Sequence, residues 1–447
     1  MTLPKIILSN EGRILYNTKN HPIRTVKNMI EHFFKFENFD NLNYETSIKQ
    51  NFDELLVPLS HPARSIKDTF YLNENYIKNF NFLFENYYIR LDTLNKFYKY
   101  YLSNKILNHD NIKLMRTHMT THLPYLLKKN YRNVIYTGTV YRRDEIDKYH
   151  FPIFHQTDGF LMRSESFEVE ADLKIKLEKL INYLFKSNKI EMKWEDNTSF
   201  PFTDPSYELY IKRENDKKWI EILGCGKIKK EVIYMSLYEK DIKKIIENEI
   251  YTFDKNLKST LDNYPNNKIL FQTKNKEECN SIINKFCNKQ LNNQITLKIN
   301  EFLKNINYQG WAFGIGLERL CMLLYGIEDI RLLWSNDKRF INQFKENEIT
   351  KFYPFSNFPS IKKDISFYIN DNFKENIFFQ LCRDIAHENI EEVKKVDHYF
   401  NPKTNETSVC YRITYRSHNQ NLTHKFVNNI QNKIIESLIK ECSVHVR

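Results

Sequence analysis

Two short stretches of this 447-residue chain carry residue types suited to holding a nucleotide. The first is Tyr141-Arg-Arg-Asp-Glu-Ile-Asp-Lys-Tyr-His-Phe-Pro-Ile-Phe-His-Gln156. Val134–Tyr141 and Ile153–Thr157 read as strands with a charged loop between them, so Arg142, Arg143, His150 and His155 would sit on one hairpin. Arginine offers a planar fork of donors that matches phosphate oxygens, which makes such a hairpin a cradle for phosphates. Read more plainly, the same residues form a charged hairpin on a solvated face.

The second stretch is Gly310-Trp-Ala-Phe-Gly-Ile-Gly-Leu-Glu-Arg-Leu320. Trp311, Phe313 and Ile315 alternate as in a strand, whereas Leu317, Leu320, Cys321 and Leu324 follow helical spacing. Gly314 and Gly316 fall at the junction, where the backbone must come close to something. Arg319 then lies in the first helical turn, near the positive end of the helix dipole. A dinucleotide-binding fingerprint would need a third glycine where Arg319 stands, and no G-x-x-x-x-G-K-[ST] phosphate loop occurs.

These stretches need a scaffold. Two long segments lack glycine, residues around 73–111 and Lys227–Gln309, and both read as helical, solvated insertions. From Phe355 a compact β-α-β-β-α-β series begins. Ile365, Phe367 and Ile369 alternate, and Phe378, Leu381, Cys382 and Ile385 have helical spacing. Val393–Phe400 and Ser408–Arg416 read as strands joined by a turn at 401–405. Thr423 can cap a helix whose inner face is Val427, Ile430, Ile434 and Leu438, and Cys442–Arg447 is expected to be the last strand. Such a sheet buries one face on its helices and leaves the other open to a partner.

Bulk properties narrow the classes. No apolar run approaches the ~18 residues of a spanning helix, so a membrane partner is not expected. The formal charge of +11 favours a polyanion, with nucleic acid the first choice. Seven scattered cysteines without a C-x-x-C pair point away from a zinc ribbon and toward free thiols in a reducing compartment. Met1–Asn10 reads as neither a signal nor a transit peptide.

Together the two chemical stretches resemble motifs 2 and 3 of class II aminoacyl-tRNA synthetases, which bind ATP on an antiparallel sheet with one arginine from each motif. His61-Pro-Ala-Arg64, Asp68-Thr-Phe-Tyr-Leu72, Arg116-Thr-His-Met-Thr120, Phe154-His-Gln156, Phe200-Pro-Phe-Thr-Asp-Pro-Ser206 and Trp219-Ile-Glu-Ile-Leu-Gly-Cys-Gly226 resemble the phenylalanine enzymes in particular, in the expected order. Residues 355–447 are similar to the ferredoxin-fold anticodon-binding domain found on single-chain, mitochondrial-type members. The resemblance covers the chain apart from the two glycine-free segments. It implies an α+β protein: a class II catalytic domain over residues 1–345 with insertions near 73–111 and 227–309, a linker at 346–354, and the anticodon-binding domain. It also implies a monomer with no second type of subunit, acting on phenylalanine, ATP with Mg²⁺ and tRNA(Phe) in the mitochondrial matrix, with the plastid as the alternative.

Carried over residue by residue, Arg142 would hold the α-phosphate, His150 the β-phosphate and Arg319 the γ-phosphate. Phe154 would stack on adenine, Asp144 takes the acidic position of motif 2, and Glu221 would help hold magnesium-bound ATP. His118, Thr120 and Gln156 would fix the charged groups of the amino acid. Phe200 and Phe202 would wall the phenyl pocket over an Ala312 floor, and Arg412, Arg416, His424 and Lys425 would meet tRNA. Three features depart from the family pattern. Met119-Thr120 stands where Thr-Ser is usual, Thr157-Asp158 stands where an apolar residue and Glu are usual, and the segment between Gly226 and Gly310 is much longer. A related synthetase for another amino acid, or an RNA-binding relative without catalysis, is the alternative reading.

Overall fold

The computed structural model describes residues 3–447 except 144, 165, 187–189, 215–217, 264–282, 305, 355–357, 371–372 and 403–404. The chain divides into two compact units. One comprises Ile30–Tyr141 and His155–Gly316; the other comprises Met1–Met29, Arg142–Phe154 and Leu317–Arg447.

The first unit is built on a seven-stranded sheet. Its strands are β1 (Glu37–Phe39), β4 (Asn133–Tyr141), β5 (Ile153–Arg163), β6 (Ile190–Glu195), β7 (Thr203–Arg213), β8 (Ile220–Ile228) and β9 (Gln309–Gly316). They lie in the order β1-β4-β5-β9-β8-β7-β6. β1 runs parallel to β4, and the pairs from β5 to β6 are antiparallel. A short pair, β2 (Glu45–Ser47) and β3 (Lys113–Met115), lies apart from it.

Alternation explains what the central strands do. On β9, Trp311, Phe313 and Ile315 are buried on one face. The residues between them, Ala312, Gly314 and Gly316, carry almost no side chain. On β8, Leu223 and Cys225 are buried on that same core face, while Gly224 and Gly226 pair with Gly314 and Ala312. One side of the sheet centre is therefore hydrophobic core, and the other is a strip floored by backbone.

In their described residues the two glycine-free segments are more deeply packed than their polarity suggests. Within 73–111, Tyr76, Tyr87, Tyr88 and Tyr98 are almost fully buried. The helix α1 (Lys96–Ile106) packs against α2 (Lys230–Phe253), the long helix that opens the second segment. The Tyr100 hydroxyl donates to Glu239 at 2.5 Å and that of Tyr101 to Glu247 at 3.1 Å. Helix α3 (Lys289–Leu303) buries Leu291, Ile295 and Ile299. Phenol rings let a polar-looking stretch bury large apolar area while hydroxyls such as those of Tyr100 and Tyr101 bond to carboxylates.

The second unit contains a four-stranded antiparallel sheet in the order β11-β12-β10-β13. These strands are β10 (Ile361–Ile369), β11 (Ile390–Asn401), β12 (Glu406–Tyr415) and β13 (His445–Val446). Two helices, α5 (Glu375–Ala386) and α6 (His424–Cys442), complete the β-α-β-β-α-β order. Phe367, Tyr411, Ile413, Phe378, Val427, Ile434 and Leu438 form its core, and Thr423 caps α6 by accepting from the Phe426 N–H. The last strand is shorter than expected: α6 runs through Cys442, whose buried side chain serves the helix, leaving two residues to pair with β10. The expected turn at 401–405 and the start of the unit at Phe355 fall partly outside the described residues.

Candidate active site

In the sheet unit, Gly224 on β8 and Gly314 on β9 are direct partners, and Gly314 also faces Asp158 on β5. A Cβ on Gly314 would lie 2.8 Å from Asp158 Oδ1 and 2.9 Å from Gln156 Nε2. A Cβ on Gly224 would lie 2.7 Å from the Phe200 ring. Glycine is thus required at both places because three side chains lean over the bare backbone. Gln156 and Asp158, two residues apart on β5, project to the same face.

Each of these side chains is held. The Gln156 Oε1 accepts from the Met119 N–H at 3.2 Å, which turns its amide nitrogen toward Gly314. The Thr120 hydroxyl donates to Asp158 Oδ2 at 2.7 Å, and both residues are buried. Phe200 and Phe202 are stacked, with centroids 6.2 Å apart and planes 11° from parallel. His118 lies 6.0 Å from the Phe202 ring. Ala312 follows the same face of β9 one rung from Gly314. An amide donor, a carboxylate and two apolar rings around a small-residue floor fit a free amino acid with an aromatic side chain.

His118, Thr120, Gln156, Phe200, Phe202 and Ala312 all belong to this unit. Thr120 reaches the strip through Asp158, a residue that the sequence reading left out of the site. Its signal was present in the Gln156-x-Asp158 spacing, which puts both residues on one strand face. Glu221 sits on β8 opposite Tyr210, beside a bulge in the β7–β8 pairing.

The second unit carries the cations. Arg142 follows the end of β4; its N–H donates to Pro152 O at 3.1 Å, and its guanidinium lies 5.3 Å from the Phe154 ring centroid. Asp147 accepts from the N–H groups of Tyr149 and His150 and from His150 Nδ1 at 2.8 Å, fixing the imidazole on the loop. Partial burial opposes ionisation of Asp147, but the bonds from His150 and the two N–H groups outweigh it and hold its carboxyl below the usual range. Arg143 turns the other way, toward Gln380 at 3.3 Å, and burial lowers it to about 10. Arg319 lies in the first turn of helix α4 (Leu317–Tyr325), numbered here between α3 and α5. Asp144 lies outside the described residues.

The loop is seated on the ferredoxin-like fold. Ile146 joins the hydrophobic cluster of that fold, the Val393 N–H donates to Ile146 O at 3.0 Å, and Arg383 donates to Glu145 O at 2.6 Å.

The four residues expected to meet RNA do not share one face. Arg412 lies on the open face of the sheet, paired with Asp364 by two bonds of 2.8 Å. Arg416 instead donates to Phe358 O at 2.9 Å and faces Glu391 at 3.4 Å, a structural placement. His424 and Lys425 are exposed at the start of α6, the helix that covers the buried face. On the open face, the registers place Tyr399, Ser408, Tyr368 and His445 in one row across the four strands, with Lys394, Arg412 and Asp364 two rows away, beyond the row of Asp397, Cys410 and Ser366.

Among the described residues there is no group of three or more His, Cys, Asp or Glu side chains arranged to hold a metal ion. No helix among them is long and apolar enough to cross a membrane.

A bare-floored antiparallel sheet, a motif hairpin with Arg142 and a strand-to-helix junction with Arg319 define a class II aminoacyl-tRNA synthetase core. Residues 6–246 and 295–344 match the model described as tRNA synthetases class II core domain (F). Residues 356–447 match the ferredoxin-fold anticodon binding domain. The chain is 33% identical to the chloroplastic/mitochondrial phenylalanine–tRNA ligase of Arabidopsis thaliana, over 100% of this chain and 82% of that one. It is 30% identical to the mitochondrial enzyme of Saccharomyces cerevisiae, over 99% of this chain and 91% of that one. The mitochondrial enzyme of Mus musculus is 29% identical, over 100% and 85%. The chain belongs to the phenylalanine–tRNA ligase family and is an aminoacyl-tRNA ligase. The segment near 73–111 lies within the matched core, and of 227–309 residues 247–294 fall between its two matched parts.

Proposed function

We propose that this chain activates phenylalanine with ATP and transfers it to the 2′-OH of the terminal adenosine of tRNA(Phe), and that the residues above divide the work as follows. The phenylalanine carboxylate attacks the α-phosphorus and pyrophosphate leaves. Arg142 neutralises the α-phosphate, His150 the β-phosphate and Arg319 the γ-phosphate. Phe154 carries adenine, with Arg142 above its ring. Asp158, held by Thr120, receives the ammonium group, and the amide nitrogen of Gln156 with His118 receives the carboxylate. Phe200 and Phe202 flank the phenyl ring over Ala312. No protein nucleophile is needed; alignment and charge neutralisation carry the step.

ATP is a substrate of this class. Mg²⁺ would arrive on ATP, since such ions keep several waters and use only one or two carboxylates. Glu221 would supply one.

For tRNA the open-face row of Tyr399, Tyr368 and His445, on the same face as Lys394 and Arg412, is the better surface, because unpaired bases stack on aromatic rings while cations meet phosphates. Arg416 acts from behind this surface, and His424 and Lys425 lie off it. The organellar names of the relatives support action in an organelle, which we place in the mitochondrial matrix, and their single-chain form supports a monomer.

The observation that carries the substrate reading is the Gly224–Gly314 floor overhung by Phe200, Gln156 and Asp158. Phenylalanine-dependent ATP–pyrophosphate exchange tests it. Exchange driven by phenylalanine above all other amino acids is expected, and exchange driven better by another amino acid would reject it.

A further inference from the structure

We infer that Asn51 is a positioning residue for amino-acid binding, acting through the wide turn Lys49–Asp53 on the segment that carries His118 and Thr120. The inference rests on the functional reading above and adds a residue outside every motif that pointed to it.

The turn is π-helical: Glu54 N–H donates to Lys49 O at 2.9 Å, five residues back, and Val57 N–H does the same to Phe52 O at 3.0 Å. π-Turns are rare and concentrate at functional sites. Within this one Asn51, Phe52 and Asp53 are 0%, 1% and 4% exposed, the start of a run that is buried through Val57.

Each of the three has a separate task. Asn51 Nδ2 donates to the Thr117 hydroxyl at 2.9 Å, and Asn51 Oδ1 accepts from the Thr117 N–H at 3.2 Å. Phe52 meets the His118 ring edge to face, at 6.4 Å and 71°. Asp53 pairs with Arg64 at 2.7 Å and with His109 at 2.8 Å. Arg64 also donates to Val57 O at 2.6 Å and lies 4.9 Å from the Phe52 ring centroid. The buried Asp53–Arg64 pair anchors the turn, and Asn51 and Phe52 pass that anchorage to Thr117 and His118.

From its other side the same segment is tied to β5, through Met119 N–H to Gln156 and the Thr120 hydroxyl to Asp158. Residues 117–120 are thus a bridge clamped at both edges. Asn51 is the group on the turn side that reads both the backbone and the side chain of the bridge. Loosening that edge leaves the Thr120–Asp158 and Gln156 contacts without a fixed register, so amino-acid affinity falls first.

The test is pyrophosphate exchange by full-length Asn51→Ala, with the KM for phenylalanine and the KM for ATP measured separately. Removing both bonds to Thr117 should raise the phenylalanine KM about tenfold or more. The ATP KM should stay within about twofold, because ATP does not touch the bridge in the proposed roles. Thr117→Val, which removes the hydroxyl bond from the other end, should shift the phenylalanine KM in the same direction and serves where Asn51→Ala does not fold. Equal rises in both KM values, or an unchanged phenylalanine KM in a folded Asn51→Ala or Thr117→Val protein, would overturn the inference alone. Wild-type protein without phenylalanine-dependent exchange would overturn the functional reading and the inference with it.

Discussion

Around Gly224 and Gly314 every side chain that faces the open strip is fixed by a neighbour: Gln156 by Met119, Asp158 by Thr120, Phe200 by Phe202. Arg142 and His150, by contrast, stand on a loop, exposed or half-exposed, and the loop takes its shape from Asp147 and its seat from Ile146 and Glu145. In the proposed roles the first region would recognise a small ligand with few charges, for which geometry set before binding is an advantage. The second would meet a flexible triphosphate, to which long cationic side chains can adapt on arrival.

The largest effects should come from the second region, because charge develops there in the transition state. Arg142→Ala and Arg319→Ala should each lower the exchange rate by at least ~10²-fold. Near-normal exchange in either variant would remove the phosphate roles and the contrast with them.

The seating of the loop sharpens the comparison. A ferredoxin-like fold that stood apart could be removed with adenylate formation spared. Ile146 lies in the core cluster of that fold, and Arg383 and Val393 bond the loop backbone. Removal of residues 358–447 should therefore abolish tRNA charging and also reduce exchange by ~10-fold or more, since a displaced catalytic loop loses alignment. Full exchange in the truncated protein would show that the loop holds its shape alone.

On the amino-acid side the test is steric. Gly314→Ala inserts a methyl 2.8 Å from Asp158 and 2.9 Å from Gln156, and both side chains are already tied elsewhere. The phenylalanine KM should rise roughly 5- to 10-fold, with the ATP KM little changed, as overpacking at a rigid site costs about 1–3 kcal/mol. Equal binding of phenylalanine by the variant would mean that the strip is not the amino-acid floor.

The legible parts of this molecule were those where one residue type has one reason to be present. The alternation Trp311-Ala-Phe-Gly-Ile-Gly316 announces a strand with a core face and a bare face, and both are found. The apolar spacing of Val427, Ile430, Ile434 and Leu438 fixed the last helix. What misled was polarity read as exposure. Residues 73–111 are full of Asn, Lys and Tyr, yet Tyr76, Tyr87 and Tyr88 are core residues. Arg416, expected to meet RNA, bonds to Phe358 O and faces Glu391. Asn51 gave no signal, because its partner Thr117 is 66 residues away and only the fold brings them together.

The smallest expected effect falls on stability, away from both regions. Asp92 accepts four bonds: Leu59 N–H and Lys99 Nζ at 2.8 Å on one oxygen, Ser60 N–H at 2.8 Å and the Ser60 hydroxyl at 2.7 Å on the other. It ties the helical segment 73–111 to the loop before His61-Pro-Ala-Arg64. Burial alone would raise its pKa, but Lys99 and the backbone donors outweigh burial and hold it below its ordinary value. A carboxyl whose folded pKa is depressed contributes stability that is complete above its unfolded value, ~3.9, and is lost as pH falls toward the folded value. Asp92→Asn should therefore cost about 1–3 kcal/mol near neutral pH, with activity in the folded protein unchanged. The gap in melting temperature between variant and wild type should shrink as pH is lowered below ~4, because the wild type is then losing the same charge. A gap that stays constant from pH 7 to pH 3 would show that Asp92 contributes through packing and not through its charge.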